Sequence, residues 1–347
     1  MSIIFENNDL LKVESRSVIP DFVMSFSEAA LYVAESMNSD YNSLMESIGV
    51  EELAVFESTG MEIVYEGERL NSFKEKIIGF FQEAWKAIKG FFEKILGWFE
   101  EKRKESVKKM GTKISAADLT KLPDDTVFGK MHKFGAFIVE AQAIEANTGK
   151  FVKHVADEFE KVCKGVDESN KEAKSKAAED GDNLKGELSK KVVKEVSGRN
   201  VDSLDAAKKA IEEKLVGEEF EVNKGNIGTY LPGLLAVVTG GKANEAIKKL
   251  YKANKKVIDD AISRARKYDD SRAICAAKEV YVYREVMSVS TALTGKVMDI
   301  YKRWFTESRN VLVKVYHKAG KIKGVKESVE QSVVESQINL VESILNF

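Results

Sequence analysis

Proline is nearly missing from this chain: Pro20, Pro123 and Pro232 are all there is among 347 residues. Proline is the strongest helix breaker, so its scarcity permits long uninterrupted helices. Cysteine is equally scarce. Cys163 and Cys275 are too few for a disulfide framework, and their spacing fits neither a metal site nor a redox motif. Each falls in a helical pattern, where a small buried thiol is expected. The three histidines, His132, His154 and His317, stand too far apart in sequence to share a metal from one helix, and read as helix-surface residues. No run of 18 apolar residues occurs, which excludes a helix spanning a membrane. The acidic start MSIIFENNDLLKVE lacks the basic and apolar regions of a signal peptide. HExxH, P-loop, GxSxG and paired-carboxylate motifs are missing too, and the expectation is a protein that is not an enzyme and needs no cofactor.

What is present begins with residues 72–104, SFKEKIIGFFQEAWKAIKGFFEKILGWFEEKRK. At 100° per residue, Phe73, Ile77, Phe81, Trp85, Ile88, Phe92, Ile95 and Phe99 fall on one side of a helix. Gly79, Gly90 and Gly97 cluster on the opposite, charged side, where each costs about 1 kcal/mol relative to alanine. Such a helix needs an apolar surface to fold on. Three surfaces would serve: the protein's own core, a partner, or a membrane. Five glutamates within the stretch weigh against the membrane.

Charge changes sign just before this helix. Residues 1–66 hold 13 acidic side chains against Lys12 and Arg16, a net charge of −11; the remainder carries +9, and the whole-chain value of −2 hides the split. The division suggests an acidic leader or N-terminal subdomain at 1–66, the amphipathic helix at 67–110, a linker at 111–126 and a long-helix body at 127–347. Within the leader a helix is expected over 25–47, and a small hairpin around Ser58-Thr59-Gly60. In the body, helices are expected over 127–166, 203–216, 243–268, 271–318 and 325–346. Ser203 is the expected cap of the second, and Asp270 or Ser271 of the fourth. Residues 167–197 hold few large apolar groups and read as an exposed helix or mobile arm. Residues 218–230 read as a turn region. The neutral stretch 226–241, with Pro232, reads as a buried interhelical connection, or else a short membrane-dipping tongue. The sum is an all-α protein of long antiparallel helices, bundle-like, with a small and possibly mixed N-terminal segment.

Lys248, Lys249, Lys252, Lys255 and Lys256 have no glutamate among them. They make a candidate basic patch that could touch phosphates nonspecifically, without any base-reading motif beside it.

The tetrad Leu/Ile-x-x-Glu occurs four times in the acidic segment, ending at Glu6, Glu14, Glu51 and Glu66, and twice in the rest of the chain. Glu66, in Ile63-Val64-Tyr65-Glu66 before Gly67, sits where the charge changes sign. In this the first 105 or so residues resemble the head-internal virion proteins of tailed phages of the T4-like type, whose acidic leaders a maturation protease removes after such a glutamate. The resemblance implies a structural protein made in the host cytoplasm and housed in the phage head, with Ile63, Glu66 and Gly67 at the processing site. Other virion proteins or further copies of itself would be its partners. Two alternatives stand beside it: a membrane-active helical protein similar to α-helical pore formers, and a cytoplasmic helical adaptor.

Overall fold

The computed structural model describes residues 25–59, 67–110, 119–164, 166, 170–239 and 241–323; within the helices, side chains are not described at 49–59, 67–69, 109, 241–243, 270 and 320–323. Among the described residues the chain is all-α with a minor two-stranded sheet. In order the elements are α1 (Phe26–Thr59), α2 (Gly67–Met110), β1 (Val127–Phe134), α3 (Phe137–Cys163), α4 (Lys171–Ser197), α5 (Leu204–Leu215), β2 (Val216–Asn223), α6 (Lys224–Thr239), α7 (Gly241–Ala265) and α8 (Asp270–Lys323).

The 54-residue α8 is the spine, and it touches every other helix and β1. Its seam follows from sequence: Val282, Val286, Val289, Leu293, Val297 and Ile300 recur at three or four residues and are buried. Around it, α1, α3 and α7 run antiparallel and α2 and α4 run parallel. The contacts fix these senses: Phe26 and Tyr41 of α1 meet Lys302 and Tyr281, whereas Phe81 and Phe99 of α2 meet Tyr283 and Tyr301. Buried side chains from all the helices join one apolar cluster. The sequence division at 66/67 is therefore not a division of the core.

Local signals set the helix ends. Asn170 caps α4 by accepting from the amides of Glu172 and Ala173, and Gly198, at φ 64°, closes it in the left-handed conformation. Ser203 caps α5 as expected, accepting from the Ala206 amide. At the start of α8 the cap is Asp269, one residue before the expected pair, which accepts from the Arg272 amide at 2.9 Å.

Several expectations are corrected. Residues 127–134 are a strand, not the start of a helix; β1 pairs antiparallel with β2, and the ladder is bulged at both ends. One bulge falls at Gly129, whose φ of 140° suits glycine. The turn region at 218–230 is β2 and the start of α6. The neutral stretch is α6 itself, which buries Ile227, Leu234, Val237 and Val238 and holds Pro232 within its length. The expected arm is α4, packed on α3 and α8 through Ala177, Gly181, Leu188, Val192 and Val196. The hairpin expected at Ser58-Thr59 is replaced by α1, which runs helical to Thr59. Gly320 does not stop α8. The expected helix at 325–346, and most of the linker at 111–126, lie outside the described residues.

Candidate functional site

The apolar side of α2 is occupied. Phe73, Ile77, Phe81, Ile88, Phe92, Ile95 and Phe99 are buried in this chain, and Trp85 is half-buried with its ring 5.1 Å from that of Tyr251. The eight residues expected to face a partner or a membrane face α1, α7 and α8 instead. The reason is complementarity: α8 presents Tyr283, Tyr301 and Phe305, and α7 presents Tyr251, to the arc that needed an apolar surface. Phe99 alone has Phe26, Trp98, Tyr301 and Phe305 within 6.0 Å between centroids. Each such edge-on or tilted pair contributes about 0.5–1.5 kcal/mol beyond its burial. The glycines lie on the outside. A methyl group at Gly79, Gly90 or Gly97 would meet nothing within 4 Å.

Helix α1 is seated in the groove between α2 and α8 by three devices. The Asp299 carboxylate of α8 accepts from the Phe26 amide at 2.6 Å and the Ser27 amide at 2.9 Å. These are two of the amides that a helix N-terminus leaves without internal partners, so a residue of α8 caps α1. Beside it, Gly295 lets the backbone of α1 approach. A Cβ there would lie 2.6 Å from the Phe26 carbonyl oxygen and 2.9 Å from the Ala30 Cβ. Farther along, Arg284 donates to the Asn38 side-chain oxygen and lies over the rings of Tyr41 and Tyr281, 4.9 and 4.5 Å from their centroids. Burial pushes the Tyr41 hydroxyl up to about 12. Of the acidic segment, then, residues 26–48 belong to the core: Ala30, Val33, Met37, Leu44 and Ile48 are buried. Of the candidate processing site, Gly67 is the first residue of α2, and Ile63 and Glu66 lie outside the described residues.

The candidate basic patch lies along α7 and is largely neutralised. Lys249 pairs with Glu145 of α3 at 3.4 Å, Lys255 with Asp259 at 3.4 Å and Lys256 with Asp260 at 2.9 Å. Lys248 and Lys252 are exposed. The sequence reading counted glutamates inside the lysine run and missed the aspartates one turn beyond it, at helical pairing distance. His132 stands on β1 rather than on a helix surface, with Glu307 at 3.1 Å and Arg303 at 3.0 Å.

A buried ionic cluster escaped the sequence reading. Where α3, α7 and α8 meet, Arg264 donates to Glu279 at 3.0 Å and also to Glu160, and Arg272 donates to Glu160 at 2.7 and 3.0 Å. The Tyr268 hydroxyl donates to Glu279 at 3.2 Å. Hydrogen bonds from Arg272 and Arg264 hold Glu160 down at about 2, whereas burial pushes Glu279 up to about 7 in spite of Arg264. The four charged residues come from three helices, and nothing local in sequence links them. A second such anchor is Glu140 of α3, fully buried against Arg199 at 2.7 Å and Lys214 at 3.0 Å. Both clusters cross-brace helices.

Among the described residues no group of three or more His, Cys, Asp or Glu is placed to hold a metal ion, and no helix is long and apolar enough to cross a membrane. Compared with models of known families, with curated proteins and with solved structures, the chain matches none.

Proposed function

We propose that this chain is a non-enzymatic structural protein of a tailed-phage particle, housed inside the head and made with an acidic N-terminal segment that is cut after Glu66. The observation that carries the reading is a coincidence at one peptide bond. The Ile63-Val64-Tyr65-Glu66 tetrad, the change of net charge from −11 to +9, and the first residue of α2 all fall at Glu66–Gly67. A cut there passes between two helices and breaks neither. It divides an acidic piece from a basic body that keeps α2, α8 and every cross-brace between α3, α7 and α8. A filled aromatic core and ion pairs that tie helix to helix suit a protein whose work is to hold a shape among other virion proteins or further copies of itself. The membrane-active alternative loses its chief support, since the aromatic face of α2 is spent on the core.

Intact mass of the protein recovered from particles, or after co-expression with the maturation protease of the same phage, tests the proposal. The expected species begins at Gly67. A chain in mature particles that still begins at its original N-terminus overturns processing, and a chain missing from particles overturns the virion assignment.

A further inference from the structure

Cys163 is the last residue of α3, and Cys275 lies in the second turn of α8. Roughly a hundred residues separate them, yet the fold makes their sulfurs neighbours, with the Cys163 thiol hydrogen-bonded to Cys275. Both are free and buried. A single buried cysteine is ordinarily a small apolar side chain. This pair differs in its surroundings. The Cys275 sulfur donates to the Ala177 carbonyl of α4 at 3.4 Å, and a methyl group at Gly181 would lie 2.8 Å from it. Three helices thus converge on the thiols, and Gly181 is the residue that lets α4 close over them. Polar groups stand round the pair: Lys278 is one residue short of a turn beyond Cys275 and is held by Asp182 at 3.0 Å, and the Arg264–Glu279 ion pair is adjacent.

We propose that Cys163 and Cys275 are an oxidative modification site, a thiol pair that a peroxide converts reversibly into an intramolecular disulfide stapling the end of α3 to the start of α8. The chemistry balances with hydrogen peroxide as the oxidant. The Cys275 sulfur attacks one peroxide oxygen, which breaks the O–O bond, leaves a sulfenic acid on Cys275 and releases the first water. The Cys163 sulfur then attacks the Cys275 sulfur, forms the S–S bond and expels the second water. Two thiols lose two electrons and two protons, and the peroxide gains them. Cys275 is suited to the first step, because hydrogen bonding from Cys163, with help from the Lys278 ammonium, holds its thiol below the ordinary value. In a reducing compartment the pair stays as thiols, and in oxidising surroundings the staple closes. Closing a loop of roughly a hundred residues restricts the unfolded chain, so the oxidised protein resists unfolding more than the reduced one. The inference stands on the thiol geometry alone and does not depend on the virion reading.

The full chain, treated with hydrogen peroxide and then alkylated with N-ethylmaleimide in guanidinium, tests it. The expected result is a monomer lighter by two hydrogens, with no maleimide adduct and one cross-linked peptide joining Cys163 to Cys275. Dithiothreitol should restore two adducts. The oxidised chain should also unfold at a higher denaturant concentration than the reduced chain, and Cys163→Ala and Cys275→Ala should each abolish that difference. Two adducts after peroxide, a disulfide between chains, or sulfinic acid in place of the cross-link overturns the proposal. So does an oxidised chain that unfolds where the reduced one does. The adduct count and the peptide map are measured on the unmutated chain, so the outcome does not depend on either variant folding.

Discussion

Replacing Gly295 with alanine should loosen α1, although the same change elsewhere in these helices should strengthen them. The new Cβ would lie 2.6 Å from the Phe26 carbonyl oxygen, 2.9 Å from the Ala30 Cβ and 3.0 Å from the Ser27 Cα. Two of these three are backbone atoms, which cannot rotate aside, so the first turn of α1 must back away from α8. Overpacking of this kind costs about 1–3 kcal/mol. The move also stretches the bonds from Phe26 and Ser27 to Asp299, and losing a helix cap costs about 1 kcal/mol. Against this, alanine gains about 1 kcal/mol over glycine within a helix. The net expectation is a loss of about 1–3 kcal/mol. Gly90→Ala is the control: nothing lies within 4 Å of its Cβ, so only the helix term remains, and a gain of up to about 1 kcal/mol is expected. Urea unfolding followed by circular dichroism gives both values. The indole of Trp98, 6.0 Å from the Phe26 ring, reports the displacement by fluorescence. If Gly295→Ala stabilises the chain as much as Gly90→Ala does, α1 is not seated at Gly295 and the account of its docking is wrong.

Phe99→Ala removes the ring at the centre of the α1–α2–α8 contact and should cost about 3–5 kcal/mol in the same urea assay; a loss under ~1 kcal/mol would mean that the aromatic cluster is not packed as described. Arg264→Ala leaves the Glu279 carboxyl buried without its cation and should cost about 3–5 kcal/mol, whereas Lys86→Ala, which breaks an exposed pair with Glu83, should cost less than ~1 kcal/mol. The two acids of the cluster should have opposite pH signatures. Glu160 sits below its ordinary 4.5 when folded, so its contribution is full above 4.5 and is lost as pH falls toward 2. Glu279 sits above 4.5 when folded, so its contribution is full below 4.5 and is lost as pH rises through about 7. Glu279→Gln should therefore flatten the stability profile between 4.5 and 7, and Glu160→Gln the profile below 4.5; a Glu279→Gln profile that still falls over the upper window contradicts the assignment.

Sequence by itself determined the helices with a strong period. The arc from Phe73 to Phe99, the Val282–Ile300 seam and the Ser203 cap are local patterns, because a helix repeats every 3.6 residues and its cap lies within three. The weakly patterned elements were not legible. In β1 the buried Phe128 and Met131 are three apart, since the bulge at Gly129 breaks the alternation that marks a strand. In β2 only Val222 is buried. Helix α4 passed for an exposed arm because Ala177 and Gly181 are small, and their use lies in how close they let α8 come. Tertiary structure decided the rest. The amphipathic arc of α2 states that a surface is needed, not which one, because burial is non-directional. That the surface is α7 and α8, that Asp299 caps a helix beginning 273 residues earlier, and that Glu160, Arg264, Arg272 and Glu279 meet in one cluster are facts of chain topology. The same holds for the meeting of Cys163 with Cys275. Periodicity carries information over a few turns of one helix, and only packing brings distant turns together.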